Sequence, residues 1–239
     1  MNIIEDVSSV SLEQLEAIEK LTLRWIFQAM LDFGMDAHNI FWNSPDDVKD
    51  VAEDITREVL DRLPGFNVQQ RVFGTVDYKK ARYIILPEHI VRQALFIDSK
   101  AEKENRTATI QMSQTSLRVR HIRSERSVDE LGLLPQISEY GNKQYLTTTA
   151  FLHFMYEEEG ANHALREVTI FCLPNGRLQD HYNPDANDTI WLAGRNSPKL
   201  GEDFRVRVSF DRLRDKSSWR VQKITYDASA RLCDGVWNN

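Results

Sequence analysis

The sequence is short of the residues and runs that mark several protein classes. Its 239 residues include two cysteines, and its ten glycines and seven prolines form no collagen-like or low-complexity stretch. No apolar run approaches the length of a membrane-spanning helix, and the acidic start MNIIEDVSSV lacks the apolar segment of a signal peptide. With 41% hydrophobic and 28% charged residues, the composition is that of an ordinary globular protein.

Familiar catalytic and cofactor motifs are also missing. Cys172 and Cys233 are too few for a disulfide framework or a four-ligand zinc site, which favours a reducing cytosol. Cys172 falls within the apolar stretch TIFCL and is expected in the core. The six histidines show no metal-binding spacing, and no GxGxxG, Walker A or GxSxG motif occurs. We therefore predict a cytoplasmic protein and assign no residue to a nucleotide cofactor.

Acidic residues are concentrated at the start of the chain. Residues 1–64 hold five Lys or Arg against fourteen Asp or Glu, whereas residues 65–239 hold twenty-five against twenty-two. The net charge of −6 therefore conceals a mildly basic remainder. Because salt confines each charge to about 10 Å, a local basic face is enough to bind a polyanion. The alternative is that the first part simply consists of acidic, solvated helices.

The first quarter of the chain has the periodicity of two amphipathic helices. Ser11 and Gln14 predict a capping box, apolar residues then recur every three or four positions, and Gly34 is expected to end the first helix. Ser44, followed by proline, predicts the start of a second helix, which should end at the Pro64-Gly65 pair. Both apolar stripes are interpreted as core faces.

Most of the remaining chain has the character of strands. Short apolar segments rich in β-branched or aromatic residues predict strands at 72–78, 81–86, 94–98, 146–156, 165–173, 203–210 and 219–227. Residues 99–130 form a charged and polar stretch, and residues 174–202 form a long segment rich in Pro, Gly and Asn. A connection of that length is usually functional or partly structured.

Two candidate catalytic acids follow two of these apolar strands. Asp77 closes VFGTVD, and Asp98-Ser99-Lys100 closes ALFID. Strand alternation places Asp98 and Lys100 on one face, and pairing of the two strands would bring Asp77 towards Asp98. Two carboxylates about 4 Å apart repel by roughly 4 kcal/mol at an effective dielectric near 20, a cost that a divalent cation offsets. Hard oxygen ligands select Mg²⁺, and Lys100 beside it would orient a water against a phosphodiester.

The spacing of these residues is by itself a weak signal. The simple alternative is two acids in turns with a surface lysine. Three features favour catalysis: both acids follow apolar strands, an acid-rich helix precedes them, and the order helix–strand–strand–strand is that of PD-(D/E)xK nucleases.

Several longer segments carry a more specific resemblance. In chain order they are SLEQLEAIEKLTLRWIFQAM, VAEDIT, VDYKKAR, LFIDSKAEKENR, HYNPDANDTIWLAGRNSPKLGE and RVRVSFDRLR. Through them the chain resembles the SfiI-type restriction endonucleases of the PD-(D/E)xK superfamily along most of its length. The resemblance implies a restriction-endonuclease-like α/β fold, with a mixed central sheet flanked by helices, N-terminal helices and additional β strands.

The resemblance also implies roles for individual residues. Asp77, Asp98 and Lys100 would form the catalytic set, and the two acids would bind Mg²⁺ together with the backbone carbonyl of Ser99. Glu53, within VAEDIT, is a candidate additional ligand, with an exposed helical glutamate as the alternative. The chain is interpreted as one domain, 1–239, with a helical part at 1–65, catalytic strands at 66–115 and a β-rich recognition and assembly part at 146–239.

Recognition of DNA is predicted on a different strand. Arg205 and Arg207 alternate with valines, so both guanidiniums leave one face of the strand and suit guanines read in the major groove. Solvated arginines on an amphipathic outer strand are the alternative. Further candidate contacts to phosphates or bases are Lys103, Asn105 and Arg106. Arg118, Arg120 and Arg123 are interpreted as phosphate contacts, with simply exposed arginines as the alternative.

The function implied is that of a Mg²⁺-dependent type II restriction endonuclease. It would cut both strands of an interrupted GC-rich palindrome with GGCC-like half-sites, leaving 5′-phosphates and 3′ overhangs. The resemblance further implies a bacterial homotetramer that acts on double-stranded DNA away from membranes, with a companion DNA methyltransferase protecting the same site. Two alternatives are a PD-(D/E)xK nuclease of repair or recombination and a non-catalytic, sequence-specific DNA-binding protein, although retention of all three catalytic residues argues against the latter.

Overall fold

The computed structural model describes residues 2–44, 47–63, 78–86, 88–103, 106–194, 205–227, 229 and 231–239. The helices are α1 (Leu12–Asp32), α2 (Gly34–Asn43), α3 (Val48–Arg62), α4 (Gln179–Tyr182) and α5 (Phe210–Lys216). The strands are β1 (Asn2–Ile4), β2 (Tyr78–Ile85), β3 (His89–Glu102), β4 (Thr107–Gln111), β5 (Val119–Arg123), β6 (Arg126–Glu130), β7 (Ile137–Tyr140), β8 (Lys143–Glu159), β9 (Asn162–Leu173), β10 (Trp191–Leu192), β11 (Arg205–Ser209), β12 (Val221–Asp227) and β13 (Leu232–Asp234). Across these ranges, every helix is too short or too polar to cross a membrane.

The first helix begins as predicted but does not end the helical region where expected. Ser11 Oγ accepts a hydrogen bond from the Gln14 N–H at 3.1 Å, and Gln14 Oε1 accepts one from the Ser11 N–H at 3.0 Å, which confirms the capping box. Gly34, predicted as a stop, instead begins α2. A Cβ at this position would lie 2.2 Å from Cys233 Sγ, so a glycine is needed where the α1–α2 junction packs against β13.

The third helix begins later than predicted. Asp47 caps α3 by accepting from the Lys49 N–H at 3.0 Å, whereas Ser44, the predicted cap, follows the C-terminal end of α2. The apolar stripe of α3 is buried from Val51 onwards, as predicted. The predicted Pro64-Gly65 stop lies outside the described residues.

A mixed sheet forms the centre of the molecule. Its strands run in the order β1-β3-β8-β9-β12-β13, with β2 paired to β3 and β7 paired to β8. β3 is parallel to β1 and β8, and the other neighbours are antiparallel. The predicted mixed central sheet is therefore confirmed, and the strands predicted at 146–156, 165–173 and 219–227 correspond to β8, β9 and β12.

The two faces of β3 are covered by different layers. Leu95 and Ile97 belong to the buried cluster formed with α1, α2 and α3, so these helices cover one face. Phe151 of β8 clusters instead with the valines of β11 and with Phe210 of α5. Asp98 pairs in register with Phe151 and therefore shares its face. The predicted catalytic acid thus faces the layer that contains β11.

Several short strands lie where the sequence predicts none. Residues 99–130 contain β4, β5 and β6, and the 174–202 segment contains α4 and β10. β4 joins β11 and β10 in a second, antiparallel sheet of the order β10-β11-β4. β6 exposes most of its residues and so lacks the apolar alternation of a half-buried strand. β2 includes most of the strand predicted at 81–86, whereas residues 72–77 of the strand predicted at 72–78 lie outside the described part of the chain.

Candidate active site

Asp98 and Lys100 lie together on the face of β3 that points away from the helices. The strand continues to Glu102 instead of ending at the motif. Lys100 Nζ is 2.6 Å from Asp98 Oδ2, which confirms that the two side chains share one face. They keep 19% and 26% of their surfaces exposed, respectively. The pair is therefore open to a ligand while most of its surroundings are protein, where charges are screened less than at a free surface.

Gln114 is a neighbour of Asp98 that the sequence does not reveal. It lies in a short 3₁₀ turn after β4, and its Nε2 donates a hydrogen bond of 2.8 Å to Asp98 Oδ2. Its Oε1 accepts from the Gln111 backbone N–H at 3.0 Å. Asp98 Oδ2 thus receives two donors, the Lys100 ammonium and the Gln114 amide. The spacing of the two glutamines, three residues apart, is the one signal that could have pointed to this turn.

Glu102 and His153 extend the polar face one step further along the strand. His153 pairs in register with Lys100, is fully buried, and its Nε2 lies 3.6 Å from Glu102 Oε2. Burial alone would raise the pKa of Glu102, but the His153 ring, the Thr109 backbone N–H and the charge of Lys100 outweigh it, and the pKa is lowered. Glu102 is therefore held as an anion next to the Asp98–Lys100 pair.

The second predicted acid, Asp77, lies outside the described residues. β2 begins one residue later and pairs antiparallel with β3 in a register that places Tyr78 opposite Ile97. Within the described ranges, His, Cys, Asp and Glu form no group of three or more that could hold a metal ion. The described donors at this point of β3 are the Asp98 carboxylate and the Ser99 backbone, and both offer the hard oxygen ligands that Mg²⁺ prefers.

The candidate extra ligand, Glu53, is on the exposed side of α3. The opposite side of that helix is buried in the cluster that contains Leu95 and Ile97 of β3. α3 therefore covers the face of β3 opposite to Asp98. A metal-binding role for Glu53 stays a prediction.

The predicted recognition arginines lie on one face of β11. Val206 and Val208 are fully buried, whereas Arg205 and Arg207 are partly exposed, which confirms the alternation. β11 pairs with β4, with Arg205 opposite Gln111 and Arg207 opposite Thr109. β11 is therefore the direct neighbour of β4, the strand that leads into the turn whose Gln114 contacts Asp98.

The predicted contacts that follow β3 occupy an exposed part of the surface. Lys103 Nζ lies 2.8 Å from Glu158 Oε1, and this hydrogen bond raises the pKa of Lys103. Arg106 is exposed, and its carbonyl accepts from the Phe210 N–H at 3.1 Å. Asn105 lies outside the described residues.

Two of the predicted contacts, Arg118 and Arg120 around the start of β5, are engaged within the chain. Arg120 Nη1 donates to the Pro184 carbonyl, and its Nε is 3.5 Å from Asp129 Oδ1. Arg118 donates to the same Asp129 carboxylate. A phosphate bound here would therefore compete with Asp129 for both guanidiniums.

Comparisons with known proteins agree with this geometry. A profile of the family described as "Type II restriction enzyme SfiI" matches residues 31–224, which include α3, β3 and β11. The chain is 34% identical over 250 residues to the type II restriction enzyme SfiI of Streptomyces fimbriatus, covering 98% of this chain and 93% of that protein. It also superposes on the crystal structure of tetrameric restriction endonuclease SfiI bound to cognate DNA, with a TM-score of 0.89 and 31% identity over 98% of this chain and 92% of the other.

Proposed function

The chain belongs to the SfiI family of type II restriction enzymes and is therefore a site-specific endonuclease. We propose that it makes Mg²⁺-dependent cuts in both strands of an interrupted, GC-rich palindrome. The products would carry 5′-phosphates and 3′ overhangs. The observation that carries the proposal is the contact between Asp98 and Lys100, which lies partly exposed on the face of β3 that points towards the layer containing β11.

The proposed metal site consists of Asp77, Asp98 and the Ser99 carbonyl, with Glu53 as an additional candidate. The antiparallel pairing of β2 with β3 supports it, because the first described pair, Tyr78 opposite Ile97, lies directly beside Asp98. Mg²⁺ bound there supplies charge neutralisation at the phosphate and lowers the pKa of a water.

Lys100 is the proposed positioning group for the attacking water. Its ammonium is held 2.6 Å from Asp98 Oδ2, which fixes the end of an otherwise flexible side chain. An ammonium has three donors, so one can remain on Asp98 while another holds a water or a phosphate oxygen. Fixing that donor before the reaction avoids a reorganisation cost during it.

Arg205 and Arg207 are the proposed readers of guanine bases. Their shared face on β11 suits two bidentate contacts to guanine O6 and N7 in one half-site. Lys103, Asn105, Arg106 and Arg120 are proposed as further DNA contacts, and those that bind phosphates would position the duplex without reading sequence.

The proposed assembly is a single-domain chain that forms a homotetramer on two copies of the DNA site. The solved relative is described as tetrameric and bound to cognate DNA. A companion methyltransferase that modifies the same site would protect the host.

Digestion of a plasmid with and without Mg²⁺ tests the proposal directly. Discrete fragments that appear only with Mg²⁺ are expected, and sequencing their ends would report the site and the stagger together. A smear would indicate a repair-type nuclease of low sequence preference. Intact plasmid that is nevertheless bound would indicate a non-catalytic DNA-binding protein.

A further inference from the structure

One strand, β4, connects the proposed recognition strand to the proposed catalytic strand. β4 is the edge strand of the small sheet and pairs on one side with β11, where Gln111 stands opposite Arg205. The Gln111 backbone N–H donates to Gln114 Oε1 at 3.0 Å, and Gln114 Nε2 donates to Asp98 Oδ2 at 2.8 Å. A continuous path of hydrogen bonds thus runs from the backbone beside Arg205 to the Asp98 carboxylate.

The amide of Gln114 is fixed at both ends. Its oxygen accepts from Gln111, so its nitrogen must point towards Asp98. The turn is held in addition by the Gln111 side chain, which accepts from the Gln114 backbone N–H. β4 also contacts β3 at Thr109, whose backbone N–H donates a hydrogen bond to the Glu102 carboxylate. Thr109 stands opposite Arg207 of β11.

The Gln114 contact also determines how Asp98 presents its carboxylate. Lys100 and Gln114 both approach Oδ2, so neither of these two donors occupies Oδ1. Groups that orient a metal-binding carboxylate in this way are normally worth a factor of about 10 to 100 in metal affinity.

We propose that Gln114 is a positioning residue that holds Asp98 in its metal-binding orientation, and that a wrong base in the DNA disturbs this contact through β11 and β4. The inference rests on the proposed function. A wrong base at Arg205 would displace β11 and β4, and the path through Gln111 and Gln114 would carry that displacement to Asp98. The enzyme would then discriminate between DNA sites at the cleavage step as well as at binding.

The test replaces Gln114 by Met, which keeps the length of the side chain and removes both amide contacts. Calorimetric titration of Ca²⁺ into the protein–DNA complex, with a cognate duplex checked to stay intact, measures the metal site without cleavage. The Ca²⁺ affinity should fall by about 10-fold to 100-fold. Gln144→Met is the matched control, because Gln144 makes a surface contact of 3.4 Å with Glu139, and it should bind Ca²⁺ as the wild type does.

Cleavage under single-turnover conditions provides the second measurement. For Gln114→Met the Mg²⁺ concentration at half-maximal rate should rise by a similar factor. The ratio of cleavage rates on cognate and one-base-altered sites should also fall, while the ratio of binding affinities stays as in the wild type. Gln114→Asn, whose amide is one methylene too short to span Gln111 and Asp98, should behave in the same way and serves if the Met variant does not fold.

The possible failures can be told apart. Wild-type protein that cuts no DNA would overturn the proposed function, and the inference with it. Wild-type protein that cuts, together with folded variants whose Ca²⁺ affinity is unchanged, would overturn the inference alone. Weakened Ca²⁺ binding with an unchanged ratio of cleavage rates would show that Gln114 is not linked to recognition, which also overturns the proposal.

Discussion

At the scale of single residues, the clearest expectations concern Asp98 and Lys100. Both are partly exposed on a strand face, so their truncation leaves no cavity in the apolar core. Each can therefore be removed with little effect on folding, and a loss of activity would report on chemistry.

We expect Asp98→Ala and Lys100→Ala each to abolish cleavage while the midpoint of thermal unfolding stays close to that of the wild type. Asp98→Ala should bind cognate DNA at least as well as wild type without metal, because it removes a negative charge close to a phosphate. Plasmid cleavage, a gel-shift titration and a melting curve measure the three quantities. Asp188→Ala is the matched control, since Asp188 forms a 2.5 Å surface pair with Lys216. Wild-type turnover in either active-site variant would show that the catalytic assignment is wrong.

A second residue-scale feature is the buried ion pair of Glu19 and Arg220. Both side chains are fully buried, and Arg220 Nη2 lies 2.7 Å from Glu19 Oε2. The guanidinium also lies over two aromatic rings, 4.2 Å from the Tyr182 centroid and 4.3 Å from that of Trp219. Burial raises the pKa of Glu19, so its charged form depends on Arg220.

Arg220→Met should lower the free energy of unfolding by about 3–5 kcal/mol, because it leaves the Glu19 carboxylate buried without its partner. Urea denaturation measures the loss. The double variant Glu19→Gln/Arg220→Met should recover part of it, since the fully buried carboxylate is gone and Glu16, the other partner of Arg220 at 3.3 Å, is partly exposed. A loss below about 1 kcal/mol for Arg220→Met would place this pair among those that contribute little.

Sequence patterns predict some of these polar residues and not others. The alternation of Asp98 and Lys100 follows from strand geometry and needs no knowledge of distant contacts. Gln114 and the Glu19–Arg220 pair depend on partners far along the chain, and no local pattern marks a polar residue that such a partner will need. The face of β3 was therefore predictable, whereas the groups that support it were not.

At the scale of elements, the success of prediction depends on burial. α1, α3, β8, β9 and β12 have a buried face that imposes a clear period, and the sequence predicts all of them. β4 and the β5–β6 hairpin were missed because they lie in a charged stretch. β4 also pairs with β11 almost a hundred residues away, and that pairing has no local signature. Apart from β11, which lies within the strand predicted at 203–210, the small sheet is thus the least predictable part of the fold.

The arrangement of β11 makes a testable distinction between arginines. Arg205→Ala and Arg207→Ala should each cost about 1–3 kcal/mol of discrimination at one base position, with little change in non-specific affinity. Arg120→Ala should weaken specific and non-specific binding alike and lower the salt slope by about one unit, as expected for a phosphate contact. Titrations on cognate and scrambled duplexes across a salt series separate the two behaviours.

If both β11 variants keep the wild-type specificity ratio, this strand does not read bases, and the 103–106 segment becomes the better candidate. An Arg120→Ala variant with unchanged DNA affinity would mean that the arginine serves the contacts with Pro184 and Asp129 alone.

At the scale of the whole molecule, the expectations concern assembly. A tetramer that acts on two copies of its site should cut a two-site plasmid faster than a one-site plasmid. The difference arises because the second site is held at a high effective concentration on the same DNA. Comparing the initial rates on the two plasmids, with the mass in solution measured by light scattering, tests this. Equal rates and a dimer mass would remove the tetramer from the proposal.

The two thiols of the chain are buried to different extents, so their rates of chemical labelling report on the opening of different parts of the molecule. Cys172 is fully buried in β9, and burial raises the pKa of its thiol. Cys233 is partly exposed on the edge strand β13, against Gly34. A thiol reagent would therefore reach Cys233 when the edge frays and Cys172 only when the central sheet opens. The two labelling half-times would report separately how often the edge strand β13 and the central sheet of the same native molecule open.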